Sequence, residues 1–379
     1  MKQKADDRNV YVPKKIKKQH LQQLADYKQE LCQKPQLRSL FIEMTILCNE
    51  HCRHCGSRCG DIPMEQQLED EEILSMLAKL KTQILSGADG KQKLPFLCVT
   101  GGEPLLRPTF CELMKACYDM GYHWGMTSNG LLLDEKMAGR LKDAGMATIS
   151  ISIDGLEQSH DWFRQTKGGY QAAMQSIRHL VRTGFQHIMV TTVVHKRNID
   201  ELEQLYPVIK ATGCDAWRII NVEPIGRALE DEEICLDTGD YQRMIQFIME
   251  KRAKDSEMEV TFGCNHFLGP KRERELRSWY YMCTAGLYTA GIFYNGDIGG
   301  CLDIERRPET IQGNIRKDDF YEVWEKRFEI FRKEKSKKSK TCKNCKHRTF
   351  CDGGGFHTWN LDEGEPRLCM YREVKKTIE

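Results

Sequence analysis

No stretch of the 379 residues stays apolar for the ~20 positions that a membrane-spanning helix requires. The N-terminal segment, MKQKADDRNVYVPKKIKKQH, lacks the apolar block of a secretory signal. Neither sign of charge dominates. Lys and Arg number 57, Asp and Glu 55, and the net charge is +2, so the chain has no electrostatic footprint for nucleic acid or an acidic membrane. Proline is scarce, with 11 residues scattered along the chain, which excludes a proline-rich extended segment. These absences lead us to expect a cytoplasmic globular protein that partners neither nucleic acid nor membrane.

What the sequence has in excess is cysteine, with 17 residues. In a reducing compartment they are not a disulfide framework. Cys98, Cys111, Cys117 and Cys214 sit in apolar-periodic segments and are expected in the core. The clustered cysteines require metal or catalysis to account for them.

Apolar runs and amphipathic stretches alternate along the first part of the chain. Strands are expected at 39–44, 95–100, 123–130, 148–155, 187–194 and 216–223. Helices are expected at 69–85, 107–121, 134–144, 168–183 and 199–212. Six β-then-α units imply a parallel sheet, either open and doubly wound or an incomplete barrel. Such sheets place their chemistry at the C-terminal strand ends, where TGGEP, TSNG and SIDG fall. Beyond residue 235 helices are expected at 238–254 and 318–334. The basic run RKEKSKKSK (332–340) reads as a solvated linker, and GGGFHTW as a glycine-rich turn packing Phe356 and Trp359.

TILCNEHCRHCGSRC (45–59) follows the first strand and spaces Cys48, Cys52 and Cys55 as CX3CX2C. Three thiolates from one loop can hold three irons of a [4Fe–4S] cube and leave the fourth open. A zinc site would need a fourth ligand, available from His51, His54 or Cys59. Cys52, Cys55 and Cys59 form an alternative set. In the second half CX2CX5C (Cys342, Cys345, Cys351) plus Cys369 supplies four thiolates, enough for a zinc ribbon or a second cubane.

The CX3CX2C loop, with GGEP at 101–104, TSNG, SIDG, HDWFR at 160–164 and PIGRA at 224–228 in order, resembles the radical S-adenosylmethionine (radical SAM) superfamily. The resemblance covers residues 39–228. It implies an α/β fold, a partial (β/α)6 barrel, with a [4Fe–4S] cluster on Cys48, Cys52 and Cys55. SAM would contact Gly101, Gly102, Glu103, Pro104, Ser128, Asn129, Ser152, Asp154 and Arg164, with Arg164 and Ser152 near its carboxylate and ribose. Cys59 has no role in that pattern and is expected to be structural or incidental. One-electron cleavage of SAM would give a 5′-deoxyadenosyl radical that abstracts substrate hydrogen.

The second half resembles the SPASM domain, an auxiliary-cluster extension. That likeness divides the chain into an N-terminal extension (1–38), a core barrel (39–235) and a SPASM domain (236–379). It places Cys342, Cys345, Cys351 and Cys369 on an outer auxiliary cluster. Cys283, Cys301 and, as a candidate, Cys264 belong to an inner one. Gly355 stands where the pattern has a further Cys. The inner cluster is therefore expected to have an open iron, to use His357 or Asp352, or to be smaller or absent.

SPASM proteins mostly modify peptides. The expected activity is oxidative side-chain modification of a peptide or protein substrate, by thioether or carbon–carbon crosslinking, with flavodoxin or ferredoxin as electron donor. Residues 1–38 are short for the leader-binding domain of several such enzymes. Formylglycine formation in a sulfatase, haem side-chain chemistry, and a non-catalytic iron–sulfur or zinc protein are the alternatives. The residue that completes catalysis is not identified by the sequence.

Overall fold

The computed structural model describes residues 14–87, 93–255, 257–263, 266–278 and 280–375. Cys264 lies outside the described residues, as does any contribution it makes to an inner cluster.

The expected βα alternation is present. β1 (Ser39–Glu43), β2 (Phe96–Thr100), β3 (Trp124–Ser128), β4 (Met146–Ser152), β5 (Ile188–Val194) and β6 (Ala216–Asn221) pair in sequence order, all parallel. Between them run α2 (Asp70–Leu85), α3 (Phe110–Asp119), α4 (Glu135–Asp143), α5 (Glu157–Arg164), α6 (Gly169–Thr183) and α7 (Leu202–Lys210), preceded by α1 (Lys14–Gln33). α2 shows why the sequence folds this way. Glu69 and Glu72 form a capping box at its start, and Ile73, Leu77, Leu80 and Ile84 make one buried stripe against the sheet.

The sheet extends beyond six strands. After α8 (Thr238–Lys254), β7 (Glu259–Phe262) adds in parallel to β6. β8 (Thr289–Ile292) returns to pair in parallel with β1. β9 (Asp297–Gly299) and β10 (Gly313–Asn314) then continue antiparallel. The result among the described residues is one ten-stranded sheet in the order β10-β9-β8-β1-β2-β3-β4-β5-β6-β7. The cysteine-rich half is therefore hydrogen-bonded to both edges of the barrel sheet. α1 also packs on this half, through Leu21 and Leu24 with Phe267, Tyr280 and Tyr281, and through a Lys28–Asp352 ion pair of 3.0 Å.

Two expectations are corrected. The run 332–340 is not a solvated linker: Ser336 and Ser339 are buried, and Lys335 donates to the Asp352 and Gly354 carbonyls. Lys333, Lys337, Lys338 and Lys340 are exposed, but Lys335 and the short serines fit under the cysteine loop. The helix expected at 318–334 is two, Phe320–Lys326 and Glu329–Arg332, because Phe328 turns into the core between them.

The core carries three fully buried tryptophans, Trp124, Trp217 and Trp324. Trp217 of β6 packs against Phe247 of α8, and its indole Nε1 donates to Thr192 Oγ1 at 2.8 Å. Trp217→Ala is expected to cost about 3–5 kcal/mol, through the cavity it leaves, read as a lower urea midpoint at unchanged slope.

Candidate functional site

The loop after β1 is gripped from two sides. On one side the β2 loop donates from Gly102 N to Thr45 O and from Glu103 N to Leu47 O, each at 2.8 Å. A Cβ on Gly102 would lie 1.9 Å from Leu47 O, so only glycine permits this approach. On the other side the segment after β6 supplies Arg227. Its backbone N donates to Cys55 O at 3.1 Å, its Nε to Cys52 O at 2.8 Å, and its Nη1 to Cys59 O at 3.1 Å. Gly226 holds φ +54°, and a Cβ there would meet Cys55 O at 2.2 Å. GGEP and PIGRA thus act first as jaws on the cysteine loop.

Held in this way, Cys48, Cys52 and Cys55 all line one cavity of about 320 Å³ at the C-terminal ends of the strands. Burial pushes the Cys48 thiol up to about 11 and raises Cys52 as well. Cys55 is pulled down to about 6, chiefly because Cys59 hydrogen-bonds to it, and the same contact drives Cys59 up. Cys59 is therefore not incidental: it is buried on the same cavity and its thiol steadies the Cys55 thiolate.

Gly101, Gly102, Ser128, Asn129, Ser152, Asp154 and Arg164 also line this cavity, so the structure brings together most of the residues singled out in the sequence. Glu103 and Pro104 lie buried beneath it. Both Glu103 oxygens accept from Ser128 Oγ at 3.0 Å, and Asn129 N and Leu105 N donate to them at 2.9 and 3.2 Å. Burial raises the Glu103 carboxyl to about 7 against these donors. Arg164 is bonded to Glu50 at 2.6 Å and to Asp154 at 2.7 Å, all three buried.

The cavity fits the SAM and cluster that the motifs imply. Glu50 lines it with Oε2 bonded to Arg164, and among the described residues its buried Oε1 has no hydrogen-bond partner. Arg218, Arg227, Glu223 and Asp303 add further charges to its lining. His54, stacked on Phe163 at 4.3 Å, is depressed by burial to about 3, and His160 and His195 to about 4. The histidines that a zinc site would need beside the cysteines are engaged elsewhere: His51 is bonded to Asp61 at 2.7 Å, and His54 is held in its stack.

A second cavity of about 310 Å³ is ringed by Cys342, Cys345, Cys351 and Cys369. Burial lifts Cys351 to about 12 and raises Cys342 and Cys369. Four thiols around a chamber of that size suit a cubane. Cys283 and Cys301 lie partly buried against the core, outside both cavities. Asp352 is not available as a cluster ligand: one oxygen accepts from Ser336 N and Oγ, the other from Lys28. His357 lines the first cavity, as does Asp303. Phe356 and Trp359 are buried, as the turn reading expected.

Sequence reasoning missed Glu50, Arg218, Asn221, Glu223 and Asp303, all on the first cavity. The available signal was alternation in AWRIIN, where Arg218 is a charge inside a buried strand.

The chain carries a radical SAM domain and a SPASM domain. Residues 42–207 match the radical SAM superfamily model, and residues 283–346 match that of an iron–sulfur cluster-binding domain, SPASM. These domains imply a SAM-binding [4Fe–4S] cluster, auxiliary clusters and SAM. The AdoMet-dependent heme synthase of Methanosarcina barkeri is 28% identical over 355 residues, covering 88% of this chain and 96% of its own. The mycofactocin maturase MftC of Mycobacterium tuberculosis is 26% identical over 295 residues, covering 76% and 70%. In fold, native anSMEcpe with bound AdoMet matches at TM-score 0.68 and 20% identity, over 89% of this chain and 94% of its own. Streptococcus suis SuiB bound to precursor peptide SuiA matches at 0.68 and 16%, over 97% and 82%. Among the described residues no helix is long and apolar enough to cross a membrane.

Two outcomes are expected. Gly226→Ala displaces the cysteine loop, so anaerobic reconstitution yields about four fewer irons per chain, measured with sulfide, while the second chamber still loads. Glu103 makes the cluster-free fold less stable as pH rises. Its folded carboxyl titrates near 7, above the ordinary Glu value, so the unfolded chain releases its proton first. The loss of stability starts near the ordinary Glu pKa and is complete above about 7. Glu103→Gln removes that component from a melting-temperature series against pH.

Proposed function

We propose that this protein uses SAM-derived radical chemistry to oxidise a carboxylate-bearing side chain of a tetrapyrrole. The observation that carries the reading is one shared cavity. Cys48, Cys52 and Cys55 form part of its wall, and Asp303 and His357 of the cysteine-rich half form another. A substrate between these walls meets the SAM cradle on one side and an acid–base pair on the other.

Bound together, the cluster and SAM supply a 5′-deoxyadenosyl radical, which removes hydrogen from carbon. The chain's own residues position and shield. Gly102 and Arg227 fix the thiols, and Glu50 and Asp154 hold the Arg164 guanidinium in place on the cavity. His54, Phe163 and His195 form an uncharged stack with centroid spacings of 4.3 and 3.9 Å that keeps water from the loop. Asp303 or His357 would take up the proton that leaves the substrate, and Cys342, Cys345, Cys351 and Cys369 would hold the auxiliary cluster that accepts the electron the substrate radical gives up.

Support for a tetrapyrrole comes from the heme synthase relatives, which align along nearly their whole length. A peptide side chain is the second reading, favoured by the mycofactocin maturase relative. In both readings Cys342, Cys345, Cys351 and Cys369 hold an auxiliary cluster, and a flavodoxin or ferredoxin supplies the electron. Cys283 and Cys301, with Cys264, are assigned to an inner cluster.

The test is anaerobic turnover of cluster-loaded protein with SAM, dithionite and iron coproporphyrin III. 5′-Deoxyadenosine should rise with the porphyrin, and the porphyrin mass should change. Deoxyadenosine release stimulated by a peptide and indifferent to the porphyrin would replace the first reading with the second. Cys48→Ala, Cys52→Ala and Cys55→Ala combined should abolish SAM cleavage in either case. Cys342→Ala with Cys345→Ala should spare uncoupled cleavage and lose product.

A further inference from the structure

β6 carries a charge that neither the fold nor the cofactors explain. Along this strand Trp217 and Ile219 are buried, while Arg218 and Ile220 face the cavity and line it. The register sets Ser152, Thr191 and Arg218 side by side on β4, β5 and β6. Arg218 Nε donates to Thr191 Oγ1 at 3.1 Å, and that hydroxyl is held by Ser150 Oγ at 2.7 Å. These bonds aim the guanidinium, yet among the described residues no acceptor meets its two terminal nitrogens and no carboxylate pairs with it.

The other two arginines on the cavity are already engaged. Arg164 is bonded to Glu50 and Asp154, and Arg227 to Asp61 and two backbone carbonyls of the cysteine loop. Arg218 alone has an unused fork. It stands inside the barrel: it is the third residue of β6, three positions before the C-terminal end of the strand at Asn221. A guanidinium cannot shed its proton, and holding it unpaired in a partly enclosed site is costly, so the site calls for an anion. Two parallel N–H groups in one plane match a carboxylate.

We propose that Arg218 is the specificity-determining residue of this enzyme, binding a carboxylate of the substrate within the barrel and so placing the neighbouring carbon beneath the SAM cradle. The inference rests on the reading that a substrate occupies this cavity, but not on its being a tetrapyrrole. The same chemistry has a second source, the methionyl carboxylate of SAM. Arg218 lies three residues before the end of β6, whereas the glycine loop at 101–102 lies beyond the end of β2, and this favours the substrate.

Phenylglyoxal modification of the cluster-loaded protein, mapped by mass spectrometry, tests this without knowledge of the substrate. With SAM already bound, millimolar glutarate should protect Arg218 and glutaramide should not. Full protection by SAM alone would assign the fork to SAM. Failure of glutarate to protect, or an Arg218 that never reacts, would also overturn the proposal. In parallel, Arg218→Gln should weaken iron coproporphyrin III binding by about tenfold or more in a Soret titration, with Arg218→Lys intermediate. A larger loss of SAM affinity than of porphyrin affinity would count against it. Glutarate protection with no porphyrin binding by the unmodified protein would keep the carboxylate site and remove the tetrapyrrole.

Discussion

Two backbone jaws close on the loop that follows β1, and the site depends on that grip. A loop with three cysteines and few apolar anchors has little reason of its own to hold its thiols on one cavity. Here Gly102 and Glu103 take up Thr45 and Leu47 carbonyls, while Arg227 takes up those of Cys52, Cys55 and Cys59. Both jaws sit at the C-terminal ends of parallel strands, where backbone groups that no longer pair in the sheet are available to loops. Side chains are excluded at the two contact points, which is why glycine stands at 102 and 226.

The electrostatics follow from the same enclosure. Burial opposes thiolate formation at Cys48 and Cys52, and only Cys55 is eased, by its contact with Cys59. A metal that displaces these protons gains most where the thiols are most buried, so cluster loading and closure of the loop are linked. Burial keeps His54, His160 and His195 neutral, so the charge pattern of the cavity comes from the Glu50–Arg164–Asp154 triad with Arg218, Arg227, Glu223 and Asp303.

The cysteine-rich half is continuous with the barrel. β7 extends the β6 edge and β8 the β1 edge, so both margins of the sheet are occupied by strands from beyond residue 235. This brings Asp303 and His357 onto the cavity and sets the second cysteine chamber on a body braced by α1. The Lys28–Asp352–Ser336 contacts tie that chamber to the N-terminal helix and to the segment that the sequence suggested was a linker.

The linear sequence by itself determined the six parallel strands, the strand-end loops and the two cysteine sets, because each depends on local periodicity or short spacing. It also marked glycines whose conformation the jaws require. Only the tertiary structure decided which distant groups share the cavity. That Cys59 touches Cys55, that Asp352 is consumed by Ser336 and Lys28, and that Arg218 is left without a counter-ion depend on contacts between residues far apart in the chain or on side-chain direction. The short strands β7 to β10 were illegible for a related reason. At two to four residues each they carry too little alternation to be read, and pairing with the barrel edges is what makes them strands.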